Sequence, residues 1–155
     1  MSSQPAGWPP PTADDRTMAT LAHALQLVGG WIAPLVIFLS KKDSLFVRFH
    51  ALQALMLQLV YVACAIVFGI IWVAIFLTTV VVHGADKASP PFAWFAFFPF
   101  LWLMIMAGWG VMITCAVVFA IKAGRGEWAE YPILGRLARK FLNMNEPSTP
   151  QTSPL

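Results

Sequence analysis

The stretch LQALMLQLVYVACAIVFGIIWVAIFLTTVVV, residues 52–82, decides the fold class because it contains no Asp, Glu, Lys or Arg. A helix needs roughly 20 apolar residues to cross about 30 Å of hydrocarbon. Two further uncharged apolar runs, residues 18–39 and 92–121, lie on either side of it. Helices of a soluble domain would show a polar face, and these runs show none. The pattern predicts an all-α integral membrane protein with three transmembrane helices.

The composition agrees with this assignment and limits the possible functions. Hydrophobic residues make up 59% of the 155 positions and charged residues 11%, whereas soluble domains carry about 25% charged residues. Little chain is left for a catalytic domain outside the membrane. Because no basic patch is interleaved with aromatic residues, we expect no nucleic-acid partner.

The ends of the chain differ from its apolar centre. Residues 1–13 are rich in proline and residues 144–155 in proline, serine and threonine, so both are predicted to be disordered tails. The membrane domain is then predicted to span residues 14–143. Thr12 is a candidate N-cap of the first helix, and Gly124 and Gly126 are expected to end the third.

A short amphipathic helix is predicted at residues 132–142. Its apolar side consists of Ile133, Leu134, Leu137 and Phe141, and its basic side of Arg136, Arg139 and Lys140. Such a helix lies in the membrane interface with its basic groups among anionic lipid headgroups. We therefore predict an interfacial helix whose lipid partners are anionic.

The distribution of Lys and Arg predicts the orientation. Positive charge clusters after the first and third apolar runs, at Lys41, Lys42, Arg48, Lys122, Arg125, Arg136, Arg139 and Lys140. Only Arg16 precedes the first run, and only Lys87 follows the second. Since cytoplasmic loops carry the excess of positive charge, three crossings of a bacterial inner membrane would place the N-terminus outside and the C-terminus in the cytoplasm.

Polar side chains on the predicted membrane helices are candidate site residues because they are costly to bury in a bilayer. They form one stripe on the first helix and one on the second, comprising His23, Gln26, His50, Gln53, Gln58 and Tyr61. Hydrogen bonds between the helices, worth about 0.6 kcal/mol each, are one interpretation. The lining of a hydrated path, or a contact face for a partner, is the other.

The histidines are the candidate ligands of a metal or pigment. Under the predicted topology His23 and His50 lie near opposite sides of the membrane, which argues against a shared metal site. Each of these two, or His83, remains a candidate axial ligand for haem or chlorophyll. Because the sequence contains no nucleophile with its base, phosphate-binding loop or metal-ligand cluster, we expect no enzymatic activity and no cofactor.

Two segments carry a resemblance to a known family. They are PLVIFLSKKDSLFVRFHALQALMLQ at residues 34–58 and AIKAGRGEWAEYPILGRL at residues 120–137. Together they resemble the bacterial Tic-twenty-like family, which is distantly similar to a component of the chloroplast inner-envelope import machinery. The chain departs from that family's pattern at Ala51, Leu52 and Ala54, where charged residues are common. The resemblance implies a small helical membrane protein.

Three functional hypotheses follow. The first is a non-enzymatic accessory or scaffold subunit that packs against other membrane proteins, since the apolar runs hold few ionisable groups. The second is a component of a protein or solute translocation pathway lined by the polar stripes. The third is a pigment-binding or haem-binding subunit that uses a histidine.

Overall fold

A computed structural model describes residue 8 and residues 10–84 and 93–144. The described residues form helices and connecting turns, with no strand among them. The helices are α1 (Ala13–Gly29), α2 (Ile32–Ser40), α3 (Leu45–Gly84), α4 (Ala93–Gly124) and α5 (Leu134–Phe141). The all-α prediction is therefore confirmed. Most of both predicted tails lies outside the described residues, so their disorder stays a prediction.

Helix α1 begins with a capping box at Thr12, the position that the sequence predicted. The Thr12 hydroxyl accepts a hydrogen bond from the Asp15 amide at 3.1 Å, and the Asp15 carboxylate accepts one from the Thr12 amide at 2.9 Å. Burial raises the pKa of Asp15, but hydrogen bonds from Ser44 and Thr12 outweigh it and leave that pKa below its usual value. The ionised carboxylate also interacts favourably with the helix dipole.

The first apolar run does not form one continuous helix, because α1 ends in its middle. Gly30 takes a φ of 56°, a conformation that favours glycine, and α2 then starts at Ile32. After α2, the Lys41 ammonium lies 2.6 Å from the Asp14 carboxylate at the start of α1. Helices α1 and α2 therefore form a hairpin whose ends meet, and α2 is only about 14 Å long.

Two helices in the described part of the chain are long and apolar enough to cross a membrane, at Leu45–Val82 and Phe98–Gly124. The prediction of three transmembrane helices is not confirmed, since the first apolar run is divided between α1 and α2. At 1.5 Å per residue α3 is about 60 Å long and exceeds the hydrocarbon thickness. The Ser44 hydroxyl caps it by accepting a hydrogen bond from the Val47 amide at 3.3 Å.

The chain divides into two compact units. The first combines residues 1–58 with residues 115–155, and the second is residues 59–114. In the first unit Trp128 is the centre of an aromatic cluster. Its ring centroid lies 4.8 Å from that of Trp8, 5.0 Å from Phe46 and 5.7 Å from Phe49. In the second unit the helices expose their large apolar side chains, as expected for surfaces that face lipid.

Helix α4 ends in a Schellman motif, as the glycines predicted. The Glu127 amide donates to the Lys122 carbonyl at 3.0 Å and the Gly126 amide to the Ala123 carbonyl at 2.9 Å. Gly126 has a φ of 77°, and an added Cβ would lie 3.2 Å from the side chains of Arg16 and Pro11. The turn after α4 thus packs directly on the start of α1.

These contacts bring the segment before α1 next to the segment after α4. Trp8 contacts Trp128, and Gly126 lies against Arg16. The physical reason is the hairpin: because α1 and α2 return to their starting point, the chain enters α3 from the same end at which α1 began.

Candidate functional site

The candidate site is a buried polar cluster inside the first compact unit. Helix α1 contributes His23 and Gln26, α3 contributes His50 and Gln53, and the segment after α4 contributes Tyr131. All five residues are buried. Polar groups removed from water in this way must find hydrogen-bond partners, or they cost stability.

A directional chain of hydrogen bonds runs through the two histidines. His50 Nε2 lies 3.1 Å from the Glu127 carbonyl, which can only accept, so this nitrogen carries the proton. His50 Nδ1 is then the acceptor for His23 Nε2 at 3.2 Å. His23 Nδ1 in turn accepts from the Tyr131 hydroxyl at 3.5 Å. The Glu127 carbonyl therefore determines the tautomers of both neutral imidazole rings, those of His50 and His23.

Gln53 binds the non-helical segment that follows α4. Its amide nitrogen donates to the Ala129 carbonyl at 3.2 Å, and its carbonyl oxygen accepts from the Tyr131 amide at 2.8 Å. Backbone groups outside helices need such partners when they are buried. His50 and Gln53 together attach residues 127–131 to the first turns of α3.

Gln26 is the one member of the cluster whose polar atoms have no hydrogen-bond partner among the described residues. Its amide lies beside the Tyr131 hydroxyl, but without normal hydrogen-bond geometry. The Tyr131 ring stacks on Phe119 with centroids 3.8 Å apart, and Phe119 also contacts His23. Stacking on α4 thus places the hydroxyl next to His23.

Burial keeps the cluster neutral. Burial, and secondly the neighbouring His50, lower the pKa of His23 to about 3. Burial, and secondly Cys115, raise the pKa of the Tyr131 hydroxyl above its usual value. A neutral hydrogen-bond network that joins α1, α3 and residues 127–131 is suited to fixing one packing of the chain. All four ring nitrogens of His23 and His50 take part in hydrogen bonds, so neither residue has a nitrogen free to bind a pigment or haem in this conformation.

The contact between His23 and His50 differs from the expected separation. The expected separation depends on three crossings, whereas the hairpin brings the two side chains together. No group of three or more His, Cys, Asp or Glu side chains in the described ranges is arranged to hold a metal ion.

The remaining sequence candidates lie outside the cluster. Gln58 is half-buried on α3, and the Tyr61 ring lies against Gly108 in the second unit. Of the basic residues on α5, Arg136 and Lys140 are exposed, whereas Arg139 pairs with Glu130. The side chain of His83 lies outside the described residues.

Sequence analysis missed Tyr131 and the carbonyls of residues 127–129 as parts of the site. The segment Glu-Tyr-Pro was noted only for its resemblance. Its signal was the tyrosine directly before Pro132, since the helical conformation is disfavoured for a residue before proline and the Tyr131 amide is then open to a side-chain partner.

Comparison with known proteins identifies the family of this chain. No curated protein and no solved structure matches the chain. A family model described as the magnetosome magnetite crystal formation protein family, MamF/MmsF, matches residues 14–138. This finding overturns the resemblance to the Tic-twenty-like family, whose motifs described a small helical membrane protein without identifying the family. Because the match covers most of the chain, the protein belongs to the MamF/MmsF magnetosome magnetite crystal formation family.

Proposed function

We propose that this protein is a non-enzymatic scaffold of the magnetosome membrane that takes part in forming magnetite crystals. The family match over residues 14–138 carries the proposal. In this role two membrane-spanning helices hold the first compact unit at the membrane, and the apolar surfaces of the helices pack against lipid and other membrane proteins.

The use of the buried polar groups supports a structural role. His23, His50 and Gln53 are buried, and their hydrogen bonds connect α1, α3 and residues 127–131. A group already engaged in this way serves the packing of the chain rather than a reacting substrate. The same cluster is no path for solute, since it is closed to solvent. Neither the translocation hypothesis nor the pigment hypothesis gains support from the family.

The proposed topology has two crossings with both ends of the membrane domain in the cytoplasm. Nine of the ten Lys and Arg residues belong to the first compact unit, and Lys87 alone belongs to the second. Positive charge favours the cytoplasmic side. The contact of Trp8 with Trp128 supports placing both ends of that unit on one side.

The test is deletion and complementation in cells that form magnetosomes. Loss of the protein is expected to change the size distribution of magnetite crystals measured by electron microscopy, and the wild-type gene should restore it. Tyr131→Phe removes only one hydroxyl and leaves the ring that stacks on Phe119. A scaffold predicts that this variant restores the crystals. Normal crystals in the deletion strain would refute the proposed function.

A further inference from the structure

Helix α5 is attached to the protein by its small residues. Ala138 is fully buried, and a Cβ added at Gly135 would lie only 2.6 Å from the Cβ of Glu130. The Arg139 guanidinium pairs with the Glu130 carboxylate on the same side of the helix. The orientation of α5 is therefore set by close packing and an ion pair, and the large apolar residues Ile133, Leu137 and Phe141 stay exposed.

Those large apolar residues point outward. Ile133 is 71% exposed, Leu137 50% and Phe141 67%, and the spacing of four residues places them in one stripe along the helix. Three aligned side chains of this size are not the scattered single apolar residues of an ordinary protein surface. The stripe therefore requires a partner that the described residues do not provide.

Two cationic side chains lie along one border of the stripe. Arg136 and Lys140 are exposed, and neither makes an ion pair within the described part of the chain. At 100° per residue Lys140 lies beside Ile133, and Arg136 lies next to Lys140. An apolar stripe with a basic border matches the surface of a bilayer, where negatively charged headgroups cover an apolar interior.

We propose that α5 lies in the headgroup region of an anionic lipid bilayer, with the stripe of Ile133, Leu137 and Phe141 inserted and with Arg136 and Lys140 bound to lipid phosphates. Continuity supports lipid as the occupant, because α5 follows the end of the membrane-spanning helix α4 after a connection of only residues 125–133. The exposed Ile121 in the last turn of α4 extends the apolar surface towards that connection.

The experiment uses the full chain reconstituted in vesicles of phosphatidylcholine alone or mixed with phosphatidylglycerol. Cys64 and Cys115 are replaced by Ala, and a polarity-sensitive fluorophore is attached at Leu137→Cys. A label at Lys42→Cys, an exposed position in the turn after α2, serves as the water-exposed reference. We expect blue-shifted emission from the Leu137 site in anionic vesicles at every ratio of protein to lipid, with a smaller shift in phosphatidylcholine.

Adjacent positions on α5 give a matched test of the charges. Lys140→Gln and Arg139→Gln remove the same charge, but only Lys140 borders the stripe, whereas Arg139 pairs with Glu130. In anionic vesicles Lys140→Gln should lower the ratio of inserted to water-exposed label about fivefold. Arg139→Gln should lower it less, and high salt should remove the difference.

Three results would overturn the proposal. If emission at the Leu137 site equals that of the Lys42 reference, the stripe is not inserted in lipid, and a protein partner becomes the expected occupant. A blue shift that disappears on dilution with lipid would identify a second copy of this chain as the occupant. An equal shift in both lipid compositions would exclude recognition of anionic lipid. A second label at Phe141→Cys checks that the result does not depend on one substitution.

Discussion

The Nε2 atom of His23 on α1 lies 3.2 Å from the Nδ1 atom of His50 on α3, although 27 positions separate the two residues. This contact joins the hairpin to α3, the first of the two long apolar helices. The Glu127 carbonyl extends the connection to the segment after α4. The three parts of the first compact unit therefore share one buried polar network.

The pH dependence of stability follows from His23. Its pKa in the folded protein is about 3, below the ordinary 6.5, so the unfolded chain binds the proton more strongly. The stabilising contribution of the neutral ring is complete above about pH 6.5 and is lost as the pH falls towards 3. We expect the free energy of unfolding in detergent to fall by at most about 1.4 kcal/mol per pH unit in that window.

A variant separates this histidine from other acid-sensitive groups. His23→Gln cannot be protonated, so its unfolding free energy should decline less steeply between pH 6.5 and pH 4 than that of the wild type. Equal slopes for the two proteins would show that His23 does not titrate on unfolding.

Two glutamines on α3 form a matched pair for testing the cluster. Gln53→Leu removes both hydrogen bonds to residues 129 and 131 and leaves their backbone groups unpaired. The expected loss is about 1–3 kcal/mol for each buried group. Gln58→Leu makes the same chemical change where the Oε1 atom has no partner among the described residues, so it should be nearly neutral. Denaturant unfolding in detergent measures both, and equal effects would contradict the assigned role of Gln53.

Two helical glycines differ sharply in the space around them. Gly135→Ala should destabilise the attachment of α5 by about 1–3 kcal/mol, because the new Cβ would collide with Glu130. Gly69→Ala, where nothing lies within 4 Å, should stabilise α3 by up to about 1 kcal/mol. Hydrogen exchange of the α5 amides should increase in the first variant and stay unchanged in the second. Unchanged exchange in Gly135→Ala would contradict the packing described for α5.

The two-crossing topology predicts a specific labelling pattern. Single cysteines at Ser40 and Lys42 should react with a membrane-impermeant thiol reagent only after cell lysis, and a cysteine at Ser3 should behave in the same way. A cysteine at Ser89 in the connection between α3 and α4 should react in intact cells. Labelling of Ser3 in intact cells would restore the three-crossing topology.

Local signals in the sequence were sufficient for the helix ends and for the two long apolar helices. Thr12 and Gly126 mark their helix ends through hydrogen bonds to neighbours in the chain, so composition and spacing identify them. The hairpin was not predicted, because a glycine such as Gly30 indicates the end of a helix but not the direction that the chain takes afterwards. Its direction depends on distant contacts such as Lys41 with Asp14 and His23 with His50. The role of Tyr131 was missed for the same reason.

The central claim is that this chain resides and acts in the membrane that holds the magnetite crystal. Magnetic separation of crystal-bearing membranes from the remaining cell membrane, followed by quantitative mass spectrometry, tests it most directly. We predict strong enrichment of the wild-type protein in the magnetic fraction, and the same enrichment for Tyr131→Phe. An equal abundance of the wild-type protein in both membrane fractions would contradict the account.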